Sequence, residues 1–159
     1  MTYPYQPAPD PAERPRVNAR TLWTGGGATA LVAALVALVG VLLFRGVFDL
    51  AVLAPEGDGV WGDVSTAHLM IVAAAGALLA TALAHILLLS TPRASAFFAW
   101  TVGLVTVAAV IAPFTTDADL DNQIATAAIY FAIGVATISL ISSVMRIAVT
   151  RGTSWSGPT

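Results

Sequence analysis

The sequence predicts an all-α fold, a bundle of four transmembrane helices with both termini in the cytoplasm. Three observations carry this prediction. Of 159 residues, 57% are hydrophobic and 10% charged, whereas a soluble domain carries about a quarter charged residues; mean hydropathy is +0.82. The apolar residues gather into four runs, each near the roughly 20 residues a helix needs to cross the hydrocarbon. Lastly, arginines and acids fall on opposite sides of those runs.

Residues 1–22 form a polar segment with five of the nine prolines, "MTYPYQPAPDPAERPR". Too few branched apolar residues stand there to form a core, so the segment reads as a disordered cytoplasmic tail, with "YPYQPAP" as a candidate polyproline ligand. The transmembrane domain covers 23–149. Its spans are expected near 25–44, 67–89, 94–112 and 123–149, followed by a short tail, 150–159.

The first span, "GGGATALVAALVALVGVLLF", is too long for the apolar part of a cleaved signal peptide and reads as a retained anchor. Its three glycines open a membrane helix and follow no strand, so they are not a nucleotide loop. Spans two and three are joined by "STPR", which forces an antiparallel hairpin. Span three stops where Pro113 removes a backbone donor. Ahead of span four, Asp121 can cap the first free amides. Helices are the form expected throughout, because backbone polar groups in lipid must be satisfied internally.

Orientation follows from the arginines. Arg14, Arg16, Arg20, Arg93, Arg146 and Arg151 lie on one side, with Arg45 alone on the other. Seven of the nine acids share the side of Arg45: Asp49, Glu56, Asp58, Asp63 and the Asp117, Asp119, Asp121 triplet. The positive-inside rule puts both termini in the cytoplasm and makes the chain a multi-pass protein of the cytoplasmic (inner) membrane. Trp23 and Trp61 suit interfacial anchoring.

The triplet starts like a calcium loop, with oxygen ligands at alternate positions. It then lacks the glycine and the bidentate glutamate that such a loop needs, having Asn122 and Ala128 there. It reads as a solvated cap that marks the outer side. No metal site and no cofactor are expected. With no cysteine, disulfide and thiolate chemistry are excluded.

The candidate polar elements in or near the spans are Arg45, Asp49 and His85, which form a low-specificity binding set. Arg45 and Asp49 are four residues apart at the outer end of span one and can pair; if the helix continues to Leu53, Arg45 is drawn inward and needs a partner, Asp49 or a lipid phosphate. If it ends near Phe44, both lie at the headgroups. His85 shares a stripe with Ala73, Ala77 and Thr81 and is expected to face another helix as a neutral imidazole with a hydroxyl or carbonyl partner. His68 lies seventeen residues away, or roughly 25 Å along the helix, so the two cannot share a metal or haem. Small residues every fourth position (Gly25, Thr29, Ala33, Ala37; Gly76, Ala80, Ala84; Ala128, Ala132, Ala136) suit close helix packing.

No acidic pair lies in the spans, and no nucleophile triad or HExxH occurs. No catalytic residue is assigned, and the protein is not expected to be an enzyme. The leading expectation is a non-catalytic membrane protein, an accessory or assembly component of a complex or a self-associating bundle. Its partners would be the bilayer and other membrane subunits or itself, with no nucleic acid. The alternative is a small oligomeric transporter or channel using Arg45, Asp49 and His85. A third reading makes the acidic outer loops a sensor.

The layout also resembles a group of small four-span actinobacterial membrane proteins of uncharacterised function. The resemblance covers about residues 16–150 and rests on "RPRVNARTLW", "APEGDGVWGDVSTAH", "LLLSTPR" and the acidic loop after "IAPF". Arginine without lysine and abundant alanine fit a high-G+C genome. The resemblance implies architecture and lineage, and it transfers no activity.

Overall fold

The computed structural model describes residues 18–55, 61–63 and 65–150. Most of the amino-terminal tail, the tail from 151 onward, Glu56 and Asp58 lie outside these residues, as do Arg14, Arg16 and Arg151. The side chains of Trp61 and Asp63 lie outside them too, so its anchoring role stays an expectation.

Four helices run up and down: α1 (Ala19–Gly46), α2 (Thr66–Ser90), α3 (Ala94–Ile111) and α4 (Leu120–Thr150). Each is long and apolar enough to cross a membrane. Between α1 and α2, two short strands form an antiparallel hairpin, β1 (Leu53–Pro55) and β2 (Trp61–Asp63), that the sequence reading did not anticipate. The "terminal face" below is the end holding the start of α1 and the α2–α3 turn. The "loop face" is the opposite end, holding the hairpin.

Local chemistry sets the helix ends. Asn18 caps α1 by accepting from the Thr21 amide at 3.2 Å, so the helix starts earlier than the tail boundary expected at 22. Leu22 is fully buried as a result. Ser65 caps α2 by accepting from the His68 amide at 3.3 Å. Thr91 ends α2 in an extended conformation, φ −132° and ψ 130°, because Pro92 disfavours helical backbone in the residue before it. At Pro113 the α-helix has already given way to one 3-10 turn, Ala112–Thr115. Asp121 sits in the first turn of α4, where the helix dipole favours its charge. Gln123, buried there, donates from Nε2 to the carbonyls of Thr116 and Ala118 at 2.9 and 2.8 Å and so ties the third loop to the helix.

Glycines and small residues let α1 lie deep between α2 and α4. A Cβ on Gly26 would fall on the Thr81 side chain, one on Gly25 would stand 2.6 Å from Val144, and one on Gly40 2.8 Å from Ile129. The expected face of α1 is the buried one, since Thr29, Ala33 and Ala37 are all enclosed. Ala73, Ala77 and Thr81 likewise face inward on α2. Interior threonines satisfy themselves: Thr29, Thr81, Thr106 and Thr137 each donate to the carbonyl four residues back, at 2.8–2.9 Å. Their protons are thus spent within one helix, and close van der Waals packing holds neighbouring helices.

The small-residue stripe on α4 is not the face that packs within the chain. Ala128 and Ala132 are exposed and Ala136 half-buried, while Ile129, Gly134, Thr137, Ile141 and Met145 face inward. The inward face mixes small and bulky residues, since Ala125, Ala127 and Ala148 are buried as well, while Phe131 and Val135 are exposed. Gly76 departs from its stripe in the same way: Ala80 and Ala84 are buried, but Gly76 is exposed, and a Cβ on it would meet nothing within 4 Å.

Candidate functional site

The three expected polar residues do not converge. Arg45 is half-buried in the last turn of α1 and is engaged within the protein. The helix ends at Gly46, so Asp49 lies past it and the four-residue helical spacing that would pair the two does not exist. Asp49 instead takes a left-handed φ of 54°, a conformation that short polar side chains tolerate best. The turn it makes is closed by the Leu50 amide donating to the Phe44 carbonyl at 2.9 Å. This folds the apolar "LAVL" back toward the bundle.

Beside this turn, Asp49, Asp119, Asp121 and Asn122 border a shallow open recess at the loop face. Among the described residues no three histidine or acidic side chains stand where they could hold a metal ion.

His85 lies in the last turns of α2, near the terminal face and far from Arg45. Its Nδ1 is enclosed and has no hydrogen-bond partner among the described residues, contrary to the expected hydroxyl or carbonyl contact. The hydroxyl proton of Thr81, one turn away, is given to the Ala77 carbonyl and so is not donated to this nitrogen.

What the sequence reading missed is a polar ladder at the loop face. Asn122, Thr126 and Tyr130 lie at steps of four on α4 and so form one stripe. Each grips the backbone of the returning segment. Asn122 Oδ1 accepts from the Ala51 amide at 2.9 Å, Thr126 Oγ1 accepts from the Leu53 amide at 3.0 Å, and the Tyr130 hydroxyl donates to the Leu53 carbonyl at 3.0 Å. Thr126 also donates to the Asn122 carbonyl at 2.8 Å. Leu53 opens β1 and gives both its backbone groups to α4, while Ala54 pairs with Gly62 of β2. One edge of β1 thus meets a strand and the other meets helix side chains, which leaves no bare edge there. Held this way, Val52 and Leu53 are buried, and Val52 packs in the cluster of Val41, Leu69, Ala73 and Ile129. The sequence signal was present: three hydrogen-bonding residues on one stripe at the start of a membrane span.

The other feature is a seam. α1 packs along α2 and α4, and α3 packs mainly on α4, where a Cβ on Gly134 would fall on Thr106. α2 and α3 meet near their shared turn, where Phe98, Ala94, Ala84, Leu83 and Val102 cluster. Toward the loop face they part around an apolar groove of about 440 Å³, walled by α2, α3 and α4 and open to the side. Consequently α3 is the least covered helix: 11% of its span is buried, against 28–33% for the other three. Its outer side presents Phe97, Trp100, Leu104 and Val107 around a dent at Gly103.

No curated protein and no solved structure matches the chain. A family model does match residues 17–147, which takes in α1 to α3, the hairpin, the polar ladder and α4 as far as Ile147. The chain belongs to that family, DUF6069, a family of unknown function.

Proposed function

We propose that the protein is a non-catalytic accessory or assembly component of a cytoplasmic-membrane complex, or a self-associating bundle, with both termini in the cytoplasm. The observation that supports this is the one-sided packing of α3. Three helices bury comparable shares of their spans, whereas α3 leaves Trp100, Leu104 and Val107 exposed around Gly103. Small-residue dents with aromatic rims suit a neighbouring membrane helix, because helices associate in lipid by close packing. An actinobacterial origin belongs to the same reading, supported by arginine without lysine.

The test is to tag the carboxyl terminus, extract the protein in mild detergent, identify what co-purifies and record a visible spectrum. A stoichiometric partner or a homo-oligomer is expected, and Gly103→Leu should release it. A Cβ at Gly103 meets nothing within 4 Å, so this variant fills the dent with the bundle intact. A monodisperse monomer without partners would overturn the proposal.

The alternative is a small oligomeric transporter or channel, and the enclosed, unpartnered Nδ1 of His85 favours it. An intramembrane ionisable residue is costly and is a functional candidate for that reason. Under this reading His85→Ala abolishes a transport or resistance phenotype at unchanged protein level. Wild-type behaviour of that variant removes the alternative.

A further inference from the structure

From the shape of the α2–α3 seam we infer a binding site for a single lipid acyl chain in the groove. This goes beyond the accessory reading and does not depend on it. The groove runs along α2 from Leu69 to Leu83, fourteen residues or about 21 Å of helix. Spread over that length, about 440 Å³ gives a mean cross-section of about 20 Å². A hydrocarbon chain whose carbons approach others at 3.5–4.0 Å occupies a cross-section of roughly 15–20 Å². A helix with its side chains is about 10–12 Å across, and a segment of this length needs around four times the available volume. The groove therefore matches one extended chain and is too narrow to seat a whole helix within it.

Its chemistry agrees. The lining is almost wholly aliphatic; the hydroxyl protons of Thr106, Thr137 and Tyr130 are given to backbone carbonyls, and Thr101 adds one further hydroxyl, at the end near Leu83. A ligand with several polar groups would find few partners there, and each group left unpaired costs about 1–3 kcal/mol. All lining residues lie within the four apolar spans, so acyl chains surround the opening. Leu83 and Val102, packed against Phe98, close the end toward the terminal face. The chain's methyl end belongs there, with its headgroup at the loop face. Transfer from bulk lipid into an apolar groove gains little. Occupancy is therefore set by contact along three helices, and it should be sensitive to groove shape.

Gly76 provides the test, since it lines the groove and a Cβ there meets nothing within 4 Å. The full-length protein is reconstituted in phosphatidylglycerol vesicles containing a phospholipid with a diazirine near the end of one acyl chain. After irradiation, adducts are mapped by peptide mass. One adduct per chain is expected, concentrated on peptides bearing Leu83 and Thr101. It should be lost in Gly76→Leu, and in Val105→Trp, which fills the groove from the opposite wall. Gly103→Leu, on the other side of α3, should retain it. Adducts spread evenly around all four helices, or undiminished in both filling variants, would mean ordinary annular lipid and would overturn the site. So would a chain-to-chain crosslink through the groove residues, which would make a second copy the occupant.

Discussion

Replacing Thr126 with valine should free the segment Ala51–Leu53 without unfolding the bundle. Valine keeps the shape of threonine and removes one oxygen. That oxygen is the acceptor for the Leu53 amide, in a hydrogen bond that is buried, and Thr126 itself is fully enclosed. The substitution therefore strands a buried donor, which costs about 1–3 kcal/mol. The cost falls on the local opening of the segment and not on the helices, whose own ladder is untouched. Every 1.4 kcal/mol is tenfold in an equilibrium, so the Leu53 amide should exchange with solvent deuterium about 5- to 150-fold faster. Amides in the middle of α1 should exchange at the wild-type rate. Thr126→Ser, which keeps the oxygen, should stay within a few-fold of wild type at Leu53. Hydrogen exchange with mass detection on the protein in nanodiscs reads all three. If Thr126→Val leaves Leu53 as protected as before, the α4 ladder does not hold the segment and the argument fails.

Three further outcomes follow from the same contacts. Gly134→Ala should lower stability by about 1–3 kcal/mol, the usual cost of overpacking, because its Cβ falls on Thr106; Thr106→Ala in that background should recover most of the loss in a detergent unfolding titration, and no recovery would refute the contact. His85→Leu should change stability by less than about 1 kcal/mol, since it exchanges an enclosed, unpartnered nitrogen for a hydrocarbon; a larger loss in the same titration would reveal a partner outside the described residues. The sequence contains no cysteine, so single cysteines report topology directly. Thr115→Cys, exposed at the loop face, should react with an impermeant maleimide on intact cells, and Ser95→Cys, exposed at the terminal face, should react after permeabilisation. The reverse pattern would overturn the cytoplasmic placement of the termini.

Most of the helical frame was readable because a membrane span announces itself by length and apolarity. The expected spans and the observed helices differ mainly at their ends, where caps outside the apolar runs take control. Asn18 starts α1 six residues before the first expected span, and Ser65 starts α2 just ahead of the second. For Arg45, the sequence left two depths open. The structure selects the shorter helix, because the left-handed turn at Asp49 sends the apolar "LAVL" back into the bundle mouth. Periodicity could not foresee that return, since an apolar stretch after a helix reads equally well as more helix.

The site-level differences have a common origin. His85 was expected to find a hydroxyl or carbonyl, but its Nδ1 has no partner among the described residues. The stripe Ala128, Ala132, Ala136 suited close packing, yet within the chain α4 packs through Ala125, Ile129, Ile141 and Met145. The ladder Asn122, Thr126, Tyr130 was visible as letters at steps of four; its meaning lay in the backbone of a segment more than seventy residues earlier.

The sequence by itself determined the solvent, the number of helices, their antiparallel order and the segregation of charge between two ends. Lipid cannot satisfy backbone groups, so each long apolar run had one form available, and short links had one way to connect them. Tertiary structure decided which side of each helix faces its neighbours, that Val52 and Leu53 turn back into the bundle mouth, and that α2 and α3 part to leave a groove. In a span that is apolar all round, no hydrophobic period marks the buried face. The contact between Gly134 and Thr106, the opening beside Gly76 and the grip of α4 on Leu53 come from the fit of surfaces, which appears only when the helices are side by side.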